Sequence, residues 1–132
     1  MIAALRALAE SPDDPTAVAL LESQLLGALM LAPYLRLDCD ALRPSDFSSH
    51  HRGAAFKAIM DERHPELSLV VDRLTREGHR PPPSRAGWAD ALARTLDVAL
   101  VEDDAVPDVV KAIRSAALSR RAATRLRRPD AA

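Results

Sequence analysis

This chain has few aromatic side chains, almost no lysine and a single cysteine. Aromatic residues make up 3% of its 132 positions, as Trp88, Tyr34, Phe47 and Phe56, while the hydrophobic fraction is 48%. The core therefore has to be assembled from alanine, leucine and valine, through close contacts between helices. A lone Cys39 excludes an internal disulfide framework and fits a reducing compartment. The four glycines nowhere form GxxxxGK[ST], the turn that wraps nucleotide phosphates in backbone N–H groups, so ATP binding of that kind is excluded. No sign of charge is in excess: 18 basic and 19 acidic residues leave a formal net charge of -1, and the overall field favours neither nucleic acid nor membrane. No window approaches the roughly 18 uninterrupted apolar residues of a membrane helix, and "MIAALRALAE" lacks the apolar stretch of a signal peptide. The expectation is a soluble, cytoplasmic protein with one core, without a membrane partner.

What the chain does have is proline, ten in all, and helical periodicity between the prolines. Residues 2 to 10 have helical spacing, but "SPDDP" stops them, so residues 1–14 are expected to form a flexible arm. After Pro15, residues Ala17, Leu20, Leu21, Leu25, Ala28 and Leu29 follow the i, i+3, i+4, i+7 pattern and predict a helix over 16–31. Gly27 lies inside it at a cost of about 1 kcal/mol relative to alanine, which predicts close approach of another backbone unless the glycine is merely tolerated. Pro33 and Pro44 break the next stretch into loops with one short turn near 37–42. A second helix is expected from Ser49 through Arg52, Ala55, Phe56, Ile59 and Met60, with Ser48 or Ser49 as its cap. A third is expected from Glu66 to Glu77, closed by Gly78. Three consecutive prolines in "HRPPPSRAG" predict an extended loop, with Ser84 capping a helix that carries Trp88, Leu92 and Leu96. Pro107 then opens a long final helix through Val109, Val110, Ile113, Ala117 and Leu126. Only "LSLVVD" and "DVALVED" offer material for a strand. The expected class is all-α: a small orthogonal bundle of five to six helices over 15–128 with a long C-terminal helix, followed by a disordered tail over 129–132.

The stretch "LRPSDFSSHHRGAAFKAI" sets Ser45, Phe47, His50, His51 and Arg52 ahead of an apolar helix and invites a catalytic reading. Adjacent histidines on a helix diverge by about 100°, however, and no HxxxH or CxxC spacing joins them to Cys39, Asp38, Asp40, His64 or His79. Nothing in the spacing pairs a nucleophile with a base. No catalytic residue, metal or cofactor is expected. The one uneven charge feature is the last helix, where Arg114, Arg120, Arg121, Arg125, Arg127 and Arg128 run without an intervening acid. These arginines are candidates for contact with phosphate or an acidic partner, against the plainer alternative of a solvated helix end that complements its own dipole. An alanine-rich face with Ala116, Ala117 and Ala123 permits helix pairing, hence a homodimer.

Taken in order, "LLESQLLGALMLAP", "LRPSDFSSHHRGAAFKAI", "LSLVVDRLTREG" and "GWADALARTL", followed by a long helix, resemble the N-terminal domain of DnaB-type replicative DNA helicases. Glu22, Leu25, Leu26, Gly27 and Pro33 match its "AExxLLGxLLxxP" helix. Asp46, Phe47, His51, Arg52, Phe56 and Ile59 match its "DFxxxxHRxIFxAI" segment, and Leu74, Gly78, Gly87, Trp88 and Leu92 match the remainder. The likeness spans residues 16 to 127; Leu21, Ala55 and "HRPPPSR" depart from it. The resemblance implies a non-catalytic helical domain in DNA replication that helps a helicase ring assemble and contacts the C-terminal domain of a DnaG-type primase. The chain given holds no RecA-like ATPase. The expected partners are a primase, a replicative helicase or a loader, with DNA secondary. The alternatives are a small DNA-binding protein using the arginine-rich helix, and an excised helicase fragment. His51 and Arg52 are expected to make structural hydrogen bonds, with His50 exposed.

Overall fold

The helix rich in leucine becomes the axis of the molecule. The structure, a computed structural model, describes residues 3–11, 14–100 and 102–127, with Arg127 described by its backbone alone. Helix α2 spans Pro15–Leu31, with the Asp14 carboxylate accepting from the N–H groups of Thr16 and Ala17 and Pro15 in the first turn. These contacts satisfy donors that a helix start leaves open, and Pro15 has no N–H to lose there. Its buried residues run from Ala17 to Met30 and occupy most of its circumference, because α2 packs against four other helices. An apolar helix of this kind belongs inside a core. Leu21, Leu25, Leu26 and Leu29 are fully enclosed, and burial of each such side chain contributes roughly 1.5–3 kcal/mol.

Around it stand α1 (Ala3–Glu10), α3 (His50–Asp61), α4 (Leu67–Arg76), α5 (Trp88–Asp97) and α6 (Val106–Arg127), with 3₁₀ turns at Pro33–Cys39, Pro44–Asp46 and Asp103–Ala105. No strand occurs among the described residues, and "LSLVVD" is the start of α4. The class is all-α with a long C-terminal helix. No helix of the described residues is long and apolar enough to cross a membrane.

Four sequence expectations need correction. The N-terminal segment is not a loose arm: α1 inserts Ala4 and Leu8 into the core and packs on α2 and α6. Ser84 does not cap α5; the cap is Gly87 at φ +98°, a left-handed conformation that favours glycine, and Ser84 lies in the turn before it. The alanine face of α6 is not free for pairing, because Ala116 and Ala117 are buried within this chain. The helical turn near 37–42 begins earlier than expected, at Pro33, and is 3₁₀ in form. The expected tail over 129–132 lies outside the described residues.

Interhelical hydrogen bonds fix the frame. Arg36 donates through one Nη to the carbonyls of Ile59 (3.1 Å) and Glu62 (2.7 Å), closing the C-terminal end of α3. The Trp88 Nε1–H donates to the His79 carbonyl at 2.8 Å and pins the loop after α4 to the start of α5. Cys39 is fully buried, and burial first, then the charges of Asp38 and Asp40, push its thiol up to about 12. We expect the folded protein to resist iodoacetamide at pH 8 and to react once unfolded in urea; labelling at equal rates in both states would contradict this.

Candidate functional site

Two of the residues carrying the resemblance, Glu22 and Arg52, meet at one buried carboxylate. Glu22, in the middle of α2, has a side chain 0% exposed. Its carboxylate accepts from the Ser48 N–H (2.8 Å), the Ser48 hydroxyl (2.9 Å) and Arg52 Nε (2.7 Å), and Arg52 also donates to Ser48 Oγ at 3.0 Å. A buried carboxylate is tolerated only when paired and hydrogen-bonded in this way. Ser49 caps α3 by accepting from the His51 and Arg52 N–H groups, which aims Arg52 at Glu22. The cap and the ion pair are thus consecutive parts of one device.

A second node lies beside it. Asp46 is buried, accepts from the Arg43 N–H at 2.8 Å and from Arg121 of α6 at 2.7 Å. Arg120 donates to the Asp46 carbonyl at 2.8 Å, and Arg114 to the Ala41 carbonyl at 2.9 Å. Three of the arginines that sequence alone presents as a free basic row therefore hold α6 against the chain's own 41–46 segment. Arg125 is exposed and lines a hollow of about 460 Å³ together with Arg120 and Arg121. The Arg127 side chain and Arg128 lie outside the described residues.

Between the nodes sits the apolar part of the motif. Phe47 and Phe56 stack with ring centroids 4.8 Å apart, and Leu25, Leu26, Phe56, Ile59 and Leu92 are enclosed in the core. Gly27 sits where α2 meets α5: a Cβ there would lie 2.1 Å from the Thr95 carbonyl oxygen. Close backbone approach, rather than tolerance, explains this glycine. Gly53 has the same cause, 2.4 Å from the Pro44 carbonyl oxygen, and sequence reasoning passed over it although a glycine inside a helix carries the same signal.

The histidines divide. The His51 ring makes no hydrogen bond among the described residues; it lies 6.2 Å from the Trp88 ring, so its part is packing, and the expected structural hydrogen bond comes from its backbone N–H to Ser49 instead. His50 is exposed, 6.2 Å from His51 and from His79. Replacing His50 with alanine should change the unfolding free energy by no more than about 0.5 kcal/mol, measured by urea denaturation. Among the described residues no group of three His, Cys, Asp or Glu side chains is placed to hold a metal ion.

One concave surface borders the Glu22–Arg52 node. It is a groove of about 290 Å³ between α2, α3, α5 and the proline loop, walled by Leu20, Arg52, Arg85, Trp88, Arg94 and Val98 among others, with no acidic residue in its lining. Arg85 had no part in the sequence reading and Ser84 entered it only as a helix cap, because only the fold brings the proline loop beside α2. No known protein family, curated protein sequence or solved structure matches the chain.

Proposed function

We propose that the chain is a non-catalytic protein-interaction domain of DNA replication, similar to the N-terminal domain of DnaB-type helicases, and that it contacts a primase, a replicative helicase or a loader. One observation carries the reading. Among the residues that give the resemblance, Glu22 and Arg52 meet with Ser48 around a buried carboxylate, and Phe47 packs on Phe56, although 30 and 9 positions separate the partners in sequence. Residues that serve only as unrelated fragments of a pattern have no reason to meet in this way. The polar residues among them are engaged with one another, which suits support of a surface better than proton transfer. Capture of purified primase C-terminal domain, replicative helicase or loader by the immobilised chain tests the proposal. Binding to at least one is expected, and failure with all three overturns it.

A second reading is favoured by the hollow that Arg120, Arg121 and Arg125 line. A helical DNA-binding protein using that hollow would lose affinity steeply as salt rises, as counterions compete for the phosphates. Arg120 and Arg121 hold the fold together, so the clean probe is Arg125→Ala. Unchanged binding to duplex DNA in that variant, or a flat salt dependence, removes the second reading.

A further inference from the structure

The groove beside the buried ion pair combines features that none of its residues shows alone. Leu20 of α2 and Val98 after α5 stand half-open at its rim, over a floor that includes Leu26, Ala55 and Leu92. Three guanidinium groups border this apolar slot, from Arg52, Arg85 and Arg94, and none of the lining residues is acidic. Arg52 spends its Nε on Glu22. Arg94 reaches Asp90 only at 3.4 Å, and the exposed Arg85 side chain makes no hydrogen bond among the described residues. Arg85 is also presented on a stiff support. The prolines at 81 to 83 restrict the backbone, and its own N–H donates to the Pro82 carbonyl at 3.0 Å.

We propose that this groove binds an acidic peptide segment of a protein partner, with an aliphatic side chain seated between Leu20 and Val98 and flanking Asp or Glu carboxylates paired with Arg85 and Arg94. The proposal rests on the interaction-domain reading and names the chemistry of the partner at this site. Charge complementarity decides the sign of the ligand: a slot that offers guanidinium donors and no acceptor carboxylate selects against basic segments. The aliphatic lining decides its class. Single-stranded nucleic acid binds by stacking bases on open aromatic faces, whereas the one aromatic ring in the lining besides His51, that of Trp88, is 6% exposed and turned into the core. Side chains such as leucine, isoleucine or valine match the open space, and the guanidinium fork matches a carboxylate in two-point geometry.

The test is selection of random peptides displayed on phage by the immobilised full chain, repeated with the double variant Arg85→Glu, Arg94→Glu. Both side chains are exposed, so circular dichroism should show the variant folded. A Leu20→Asp variant probes the apolar rim independently. Peptides recovered by the native chain are expected to carry Asp or Glu beside Leu, Ile or Val. A synthetic peptide of that consensus should bind the double variant about tenfold or more weakly. Recovery of basic or uncharged sequences, no enrichment, or equal affinity for both variants overturns the proposal. Displacement of the peptide by oligothymidylate at low salt assigns the groove to nucleic acid and overturns it as well. The two proposals fail separately. A replication protein captured equally well by the native chain and the double variant removes the groove as its docking route and leaves the replication reading standing. Capture of none of them removes that reading and leaves the peptide selection as it is.

Discussion

Replacing Arg52 with methionine is expected to lower the unfolding free energy by about 3 kcal/mol, near the low end of what breaking a buried ion pair costs. The cost falls on Glu22 rather than on the arginine. The Glu22 side chain has no exposure to water, while that of Arg52 is 28% exposed, so deleting Arg52 leaves a carboxylate that cannot be hydrated. The two donors of Ser48 remain and keep the loss from the top of the range. Urea denaturation measures it. The double variant Glu22→Met, Arg52→Met should be less destabilised than the sum of the two single variants, because it removes both charges together. A loss below about 1 kcal/mol for Arg52→Met would place the pair with ordinary surface salt bridges and contradict the burial argument.

The Gly27→Ala substitution is expected to destabilise by about 3 kcal/mol, the upper part of the usual range for an overfilled core. In an exposed helix the same change would stabilise by about 1 kcal/mol. The sign reverses because the added methyl meets a backbone, not a side chain. Its nearest neighbours would be the Thr95 carbonyl oxygen at 2.1 Å and the Ala99 Cβ at 2.8 Å, and a backbone carbonyl has no rotamer by which to withdraw. Relief requires α2 and α5 to move apart, which opens the contact between the two helices and disturbs the wall of the groove that they share. A thermal melt decides the sign at once: a rise in midpoint would exclude the close approach. Gly53→Ala should behave alike, through the Pro44 carbonyl oxygen.

Much of the helical framework was legible in advance, for local reasons. Pro15, Ser49 and Gly78 punctuate the chain by chemistry that acts over three or four residues, and α2, α3 and α4 begin or end beside them, while the Asp14 cap of α2 was passed over. The start of α5 was misplaced because Ser84 is also a good cap; the chain passes it over in favour of Gly87, where Trp88 turns its Nε1–H toward His79. The 3₁₀ turn from Pro33 to Cys39 was under-read since its apolar residues lack a clean period. For the candidate site the limit was different. Glu22 and Arg52 could be singled out by pattern, but neither could be known to touch the other across 30 positions. The basic appearance of the last helix was misleading for the same reason: the acceptors for Arg114, Arg120 and Arg121 lie more than seventy positions earlier.

By itself, then, the sequence determined an all-α chain, the placement of most helix ends and the poverty in aromatic rings, because each follows from composition or from interactions between near neighbours. Only the tertiary structure decided that α1 joins the core, that Gly27 meets the α5 backbone, that three arginines of α6 are spent within the chain, that His51 packs on Trp88 without a ring hydrogen bond, and that Arg85 and Arg94 flank an acid-free groove beside the buried Glu22 carboxylate and its Arg52 partner. Those facts depend on which distant surfaces meet, and that is fixed by the packing of the whole set of helices around α2 rather than by any stretch of the chain.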